Sequence, residues 1–197
     1  EAGEKQQSMT LRVWVDANHP VVQVDVGGPS PFEVQADLEV WRTGQRELGD
    51  QEMVSAYGLK GSPKPVLVAP DSLIEGGQDR IVWCHRNQRS IWEENLKLQG
   101  LVDLTRTLRD PLLHRTFGGA LRGDGLERTS PTSCKSVRPV RHCRIAVYGL
   151  TSQTGTTEAW LRQLDTLTER LDRISAEERL AAHRRWWSDF WDRSWIY

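Results

Sequence analysis

From residue 11 to residue 40 apolar side chains recur at every second position, and from residue 156 onward they recur at intervals of three and four. A period of two buries one face of a strand, whereas a period near 3.6 buries one stripe of a helix. The chain thus reads as a long β segment followed by a helical tail.

In "LRVWVDA" Leu11, Val13 and Val15 fall on one face, with Arg12, Trp14 and Asp16 on the other. His19-Pro20 marks a turn, and Val22, Val24 and Val26 then share a side. Beyond "GGPSP", Phe32, Val34, Ala36, Leu38 and Val40 alternate with polar residues. Three strands at this spacing predict an antiparallel meander. "GLKGSPKPVLVAPDS" reads as loop, supporting at most a short strand at residues 66–69. Strand pattern returns in "DRIVWCHRN", and "SIWEENLKLQGL" has helical spacing with Ser90 as N-cap. Glycine-rich turns in "LHRTFGGALRGDGLERTSPTSCKSV" separate short strands, and "RHCRIAVYGLTSQT" is a last long one.

In "TTEAWLRQLDTLTERLDRI" Trp160, Leu161, Leu164, Leu167, Leu171 and Ile174 form a helical stripe, capped at Thr156 or Thr157. Ser175, three residues before Glu178, forms a capping box that opens a second helix. Its stripe comprises Leu180, His183, Trp187, Phe190, Trp191 and Trp195. The expected class is therefore mainly β, a domain over residues 1–152, with a helical segment over 153–197.

Charge narrows function. Twenty-six basic residues face 27 acidic ones, for a net charge of −1, so no global field attracts nucleic acid or an anionic membrane. No apolar run approaches the ~20 residues needed to span a bilayer, and "EAGEKQQSMTLRVWV" lacks a signal-peptide pattern. Three cysteines, Cys84, Cys134 and Cys143, argue against a disulfide framework, although a Cys134–Cys143 bridge across a hairpin is compatible with the spacing. Cys84-His85 and His142-Cys143 resemble metal-ligand pairs, but neighbours in a strand point to opposite faces and zinc spacing is absent. No metal and no cofactor is expected. Asp16, Asp37, Glu39, Asp103 and Asp110 read as solvated or turn carboxylates rather than a hydrolytic pair, and no catalytic residue is assigned. Nucleophile-elbow, P-loop and dinucleotide motifs are absent.

The segment "WCHRNQRSIW" is the candidate binding site. Trp83 offers a flat face, and His85, Arg86, Asn87 and Ser90 offer hydrogen bonds at a strand end, a set suited to a polyhydroxylated ligand. The competing assignment has Arg86 and Asn87 bonding loop carbonyls to fix the turn. The second candidate is the aromatic ending "HRRWWSDFWDRSWIY". Burial of a Trp contributes ~2–3 kcal/mol, so Trp186, Trp187, Phe190, Trp191 and Trp195 form a docking face, either back onto the sheet or against a further domain.

The stretches "WVDANHPVVQVDV", "LEVWRT", "VWCHRNQRSIWEENLKLQGL", "DPLLHRTFGGALRGDGLER" and "HRRWWSDFWDRSWI" resemble a family of secreted bacterial proteins of unknown function, over residues 11–196. That family is similar to glycoside hydrolases of the fucosidase-like type, with an N-terminal β-supersandwich, a helical linker and an (α/α)6 barrel. The resemblance implies a partial antiparallel supersandwich, incomplete at its N-terminus, followed by two linker helices. It also implies an extracellular or periplasmic location, a carbohydrate partner and a C-terminal helical barrel against which the tryptophans dock. Relatives of this architecture carry their catalytic carboxylates in the barrel, so the chain alone is expected to be non-catalytic. The alternative is a stand-alone carbohydrate-binding or scaffold sandwich.

Overall fold

The computed structural model describes residues 8–54, 59, 62–75 and 77–195. Strands β1 (Thr10–Val15), β2 (Val21–Phe32), β3 (Gln35–Asp37) and β4 (Arg46–Glu47) are followed by a short helix α1 (Asp50–Met53). Then come β5 (Leu67–Val68), β6 (Ser72–Ile74), β7 (Arg80–Arg86), α2 (Trp92–Leu98) and a 3₁₀ turn at Val102–Arg106. β8 (Arg115–Gly123), β9 (Leu126–Ser130), β10 (Ser133–Ser136) and β11 (Val140–Gln153) complete the strands, and α3 (Thr157–Asp172) and α4 (Ala176–Trp191) close the chain. The fold is mainly β, antiparallel and sandwich-like, with two C-terminal helices. Gly58, Lys60 and Gly61 of the expected loop lie outside the described residues.

A six-stranded sheet in the order β1-β2-β11-β8-β7-β6 forms the centre, and β3-β10-β9 form a smaller sheet. The expected meander is corrected here. β1 and β2 form a hairpin in register Val13↔Val24, but β2 runs on through "GGPSP" to Phe32 and the third segment joins the other sheet beside β10. The prolines are tolerated because β2 loses regular pairing beyond Gly27, where the register with β11 shifts. The alternation of Val34 and Ala36 is genuine, yet it packs face to face across a core instead of edge to edge.

Alternation gives the large sheet two apolar faces. Ile81, Leu121, Cys143 and Ile145 meet Val34, Leu126 and Cys134 of the small sheet. On the reverse, Val21, Val82, Cys84, Ala120 and Tyr148 pack against Trp160, Leu164, Leu167 and Leu171 of α3. The predicted caps of α3 and α4 are present, Thr156 accepting from the Ala159 amide and Ser175 and Glu178 forming the reciprocal box, whereas α2 is capped at Ile91 and not at the expected Ser90. The hairpin between β8 and β9 turns on Gly125, whose φ of +67° suits glycine. All three cysteines are buried free thiols, and burial raises each of their pKa values. The small sheet leaves the edge strand uncovered, so Leu11, Val13 and Val15 are exposed. Among the described residues no helix is long and apolar enough to cross a membrane.

Candidate functional site

The strand alternation of β7 divides the predicted binding set between two faces. Trp83 packs beside the core shared by the two sheets, and His85 follows it on that side, its ring 5.0 Å from that of Phe117, its cross-strand neighbour. Cys84 and Arg86 point the other way, toward the helices.

His85 belongs to a polar cluster that its sequence neighbours do not reveal. Its Nδ1 lies 2.9 Å from Asp71 Oδ1, and Arg42 Nε donates to the same oxygen at 2.7 Å. An ionised carboxylate can only accept, so Nδ1 carries the proton of this bond. The Arg42 guanidinium lies 5.4 Å from the Phe117 ring centre. The Asp71 amide returns a bond of 2.8 Å to the Arg42 carbonyl, which locks the two segments together. Trp41, next in the chain to Arg42, is 83% exposed. An Asp–His pair can orient an imidazole for proton transfer, but among the described residues no hydroxyl or thiol is hydrogen-bonded to His85.

Arg86 is fully engaged. It donates to Thr116 Oγ1 at 2.8 Å, and to the carbonyls of His114, Thr154 and Gly155 at 3.1, 2.9 and 2.7 Å. Asn87 donates from its side chain to the Leu112 carbonyl at 3.2 Å, and its backbone exchanges bonds with Arg115 and His114. These contacts hold His114 at φ +62°, a conformation that costs a residue with a Cβ. Ser90 accepts from the Trp92 amide at 3.0 Å, one residue before the helix cap at Ile91. Burial works against ionisation of Asp110, yet hydrogen bonds from Ser90 and from the Leu112 and Leu113 amides hold its pKa below the usual value. Gln153 Nε2 adds bonds to the Asp110 and Leu113 carbonyls. Arg86, Asn87 and Ser90 thus shape the loop at residues 110–115, while Trp83 and His85 face the other side.

The aromatic ending forms a continuous ladder. Trp14 lies 5.3 Å from His183, His183 lies 6.3 Å from Trp187, and Trp187 stacks at 6.3 Å on Trp191. Trp186 and Phe190 run alongside, their rings stacked at 5.6 Å. Exposure rises outward, from 8% at Trp14 to 39% at Trp187, 53% at Trp191 and 75% at Trp195. The base of α4 is pinned to the sheet, where the Ala17 amide donates to His183 Nδ1 at 3.2 Å and Arg144 donates to Glu177 at 2.7 Å. Its far half carries the exposed rings.

The model of the family described as "Domain of unknown function (DUF5703)" matches residues 1–196. The chain belongs to that family. No curated protein and no solved structure matches it. The aromatic ladder of this DUF5703 chain lies wholly within the matched segment. Sequence reasoning missed Asp71 and Arg42, which lie 14 and 43 positions from His85. Neither stands in a pattern with it; the loop between strands brings them together.

Proposed function

We propose that the chain is the non-catalytic sandwich and linker of a glycoside-hydrolase-like carbohydrate-active protein, in which α4 docks against a helical barrel of the same protein. The observation that carries this reading is the outward gradient of exposure along the aromatic ladder. Rings that stack on one another while presenting a third to three quarters of their surface to solvent form an apolar patch prepared for cover. The barrel as occupant and an extracellular or periplasmic setting are part of the same proposal, taken from the resemblance to fucosidase-like hydrolases. In such a protein the barrel would supply the paired acid and base, and the sandwich would position the barrel and lend loops to its mouth.

A stand-alone carbohydrate-binding sandwich is the second reading, favoured by the 83% exposure of Trp41, which precedes Arg42 of the Arg42–Asp71–His85 cluster in the chain. Aromatic faces stack on sugar rings, and the fixed polar groups would hold hydroxyls. One comparison separates the two. The 197-residue chain and the full product of its gene are screened for hydrolysis and binding on fucosylated, galactosylated and arabinosylated glycans. Hydrolysis by the full product alone supports the first reading. Binding by the chain, lost in Trp41→Ala, with turnover by neither, replaces it with the second.

A further inference from the structure

A polar cleft of about 380 Å³ opens between the large sheet and the connection from α3 to α4. That volume falls within the roughly 300–1,000 Å³ of small-molecule sites. Gln23, Arg122, Arg144, Tyr148, Asp172 and Arg179 supply its inner walls, with Asp79 and Asp124 exposed at the rim. Two of the three arginines have carboxylate partners. Arg122 pairs with Asp172, and Arg144 donates to Asp25 at 3.1 Å and to Glu177 at 2.7 Å.

Arg179 does not. It is 5% exposed, and the one hydrogen bond of its guanidinium among the described residues goes from Nη2 to Gln23 Oε1 at 3.0 Å. Gln23 is itself fully buried, with its Nε2 donating to the Ile145 carbonyl at 3.0 Å, so it offers a neutral oxygen and no charge. The Nε and Nη1 atoms of Arg179 are buried without a partner among the described residues. A guanidinium does not shed its proton, and an uncompensated buried charge is strongly unfavourable. The cleft that Arg179 lines is the adjoining space for a counter-charge.

We infer that this cleft binds a small singly charged carboxylate, with Arg179 as its principal charge partner. One unpaired guanidinium matches one negative charge. The acidic rim opposes entry of a doubly charged sulfate or phosphate by like-charge repulsion. Asp79, Asp124 and Asp172 can accept bonds from hydroxyl groups, so a sugar acid meets more of the site than a simple acid does. The ligand's source is thus either a free small acid or a uronic acid unit of a glycan. This inference stands on the buried charge and holds whether or not the chain belongs to a hydrolase.

The test is thermal unfolding of the 197-residue chain at fixed pH and ionic strength, with glucuronate, galacturonate, acetate, sulfate, glucose or galactose as probes. Wild type should gain several degrees in Tm with a carboxylate and nothing with sulfate or the neutral sugars. A response to uronates well above that to acetate identifies the sugar source, and equal responses identify a free acid. Arg179→Met preserves the bulk of the side chain without the charge; measured against its own ligand-free Tm, it should lose the carboxylate response. A response retained in Arg179→Met, one matched by sulfate or glucose, or none in wild type would overturn the inference. Should Arg179→Met fail to fold, Gln23→Leu in wild-type background, which frees Nη2, is read the same way: a carboxylate response unaltered in size overturns the assignment. Failure here leaves the glycan screen of the full gene product untouched, so the two readings fall separately.

Discussion

His85 and Asp71 are joined at 2.9 Å across a strand and a loop, and Arg42 donates to the same carboxylate oxygen at 2.7 Å. Asp71 and His85 are about nine-tenths buried, whereas the Arg42 side chain is 38% exposed. The His85 contact therefore dominates, and the Arg42 pair is discounted for solvent screening. Asp71→Asn keeps the shape and removes the charge that both donors use. It should lower stability by about 1–3 kcal/mol, measured by urea unfolding. A loss under ~0.5 kcal/mol would mean that this contact does not anchor the loop.

The same cluster marks where sequence reading stops. Strand content, the period switch at residue 156 and both helix caps were legible because each depends on residues a few positions apart. The crossing of "FEVQAD" into a second sheet was not, since the alternation of Val34 and Ala36 serves edge pairing and face packing equally. At the candidate site, the alternation that separates Cys84 from His85 also sends His85 and Arg86 to opposite faces of β7, so grouping them as one binding set runs against a period the sequence already carries. Arg86 bonds loop carbonyls, one of the two assignments its residue type allowed. Arg179 gave no signal, because a charged residue in an amphipathic helix reads as solvated until the sheet packs over it.

Gly118 and Gly119 mark the tightest strand contacts. A Cβ on Gly118 would overlap the Trp83 carbonyl oxygen, and one on Gly119 would overlap that of Tyr148. Both obstacles are backbone and cannot rotate away. Gly118→Ala should cost at least about 2 kcal/mol, lowering Tm by roughly 5 °C or more for a chain of this size. Gly125→Ala tests a different mechanism, since nothing lies within 4 Å of its added carbon and only the positive φ of +67° resists. It should cost ~1 kcal/mol, and Gly125→Asn less, because Asn tolerates that conformation.

Tyr148 donates to Asp172 at 2.5 Å beneath Arg122. Burial, reinforced by the hydrogen bond to Asp172, pushes its pKa from 10.0 up to about 12. The folded state thus holds the phenolic proton more tightly than the unfolded chain. That contribution is complete below pH 10 and is lost as pH rises through 12. Two pH units correspond to about 2.7 kcal/mol at most. Stability measured in reductant from pH 9 to 12 should fall for wild type, and the fall should be shallower for Tyr148→Phe. Parallel profiles would assign the alkaline loss to other groups, the buried thiols among them.

The outer rings of α4 should govern association more than folding. Trp191 is 53% exposed and Trp186 41%, whereas the anchor of the helix lies at Arg179 and His183. Replacing both tryptophans by Glu removes apolar surface from the patch and adds two like charges. The 197-residue chain should self-associate in light scattering at high concentration, and the double variant should be monomeric. Its unfolding free energy should fall by no more than about 3 kcal/mol, because each ring is only about half buried and keeps about half of the ~2–3 kcal/mol that full burial of a Trp contributes. A monodisperse wild-type monomer at high concentration would instead mean that the stacked rings satisfy one another, and the docking role of α4 would fall with it.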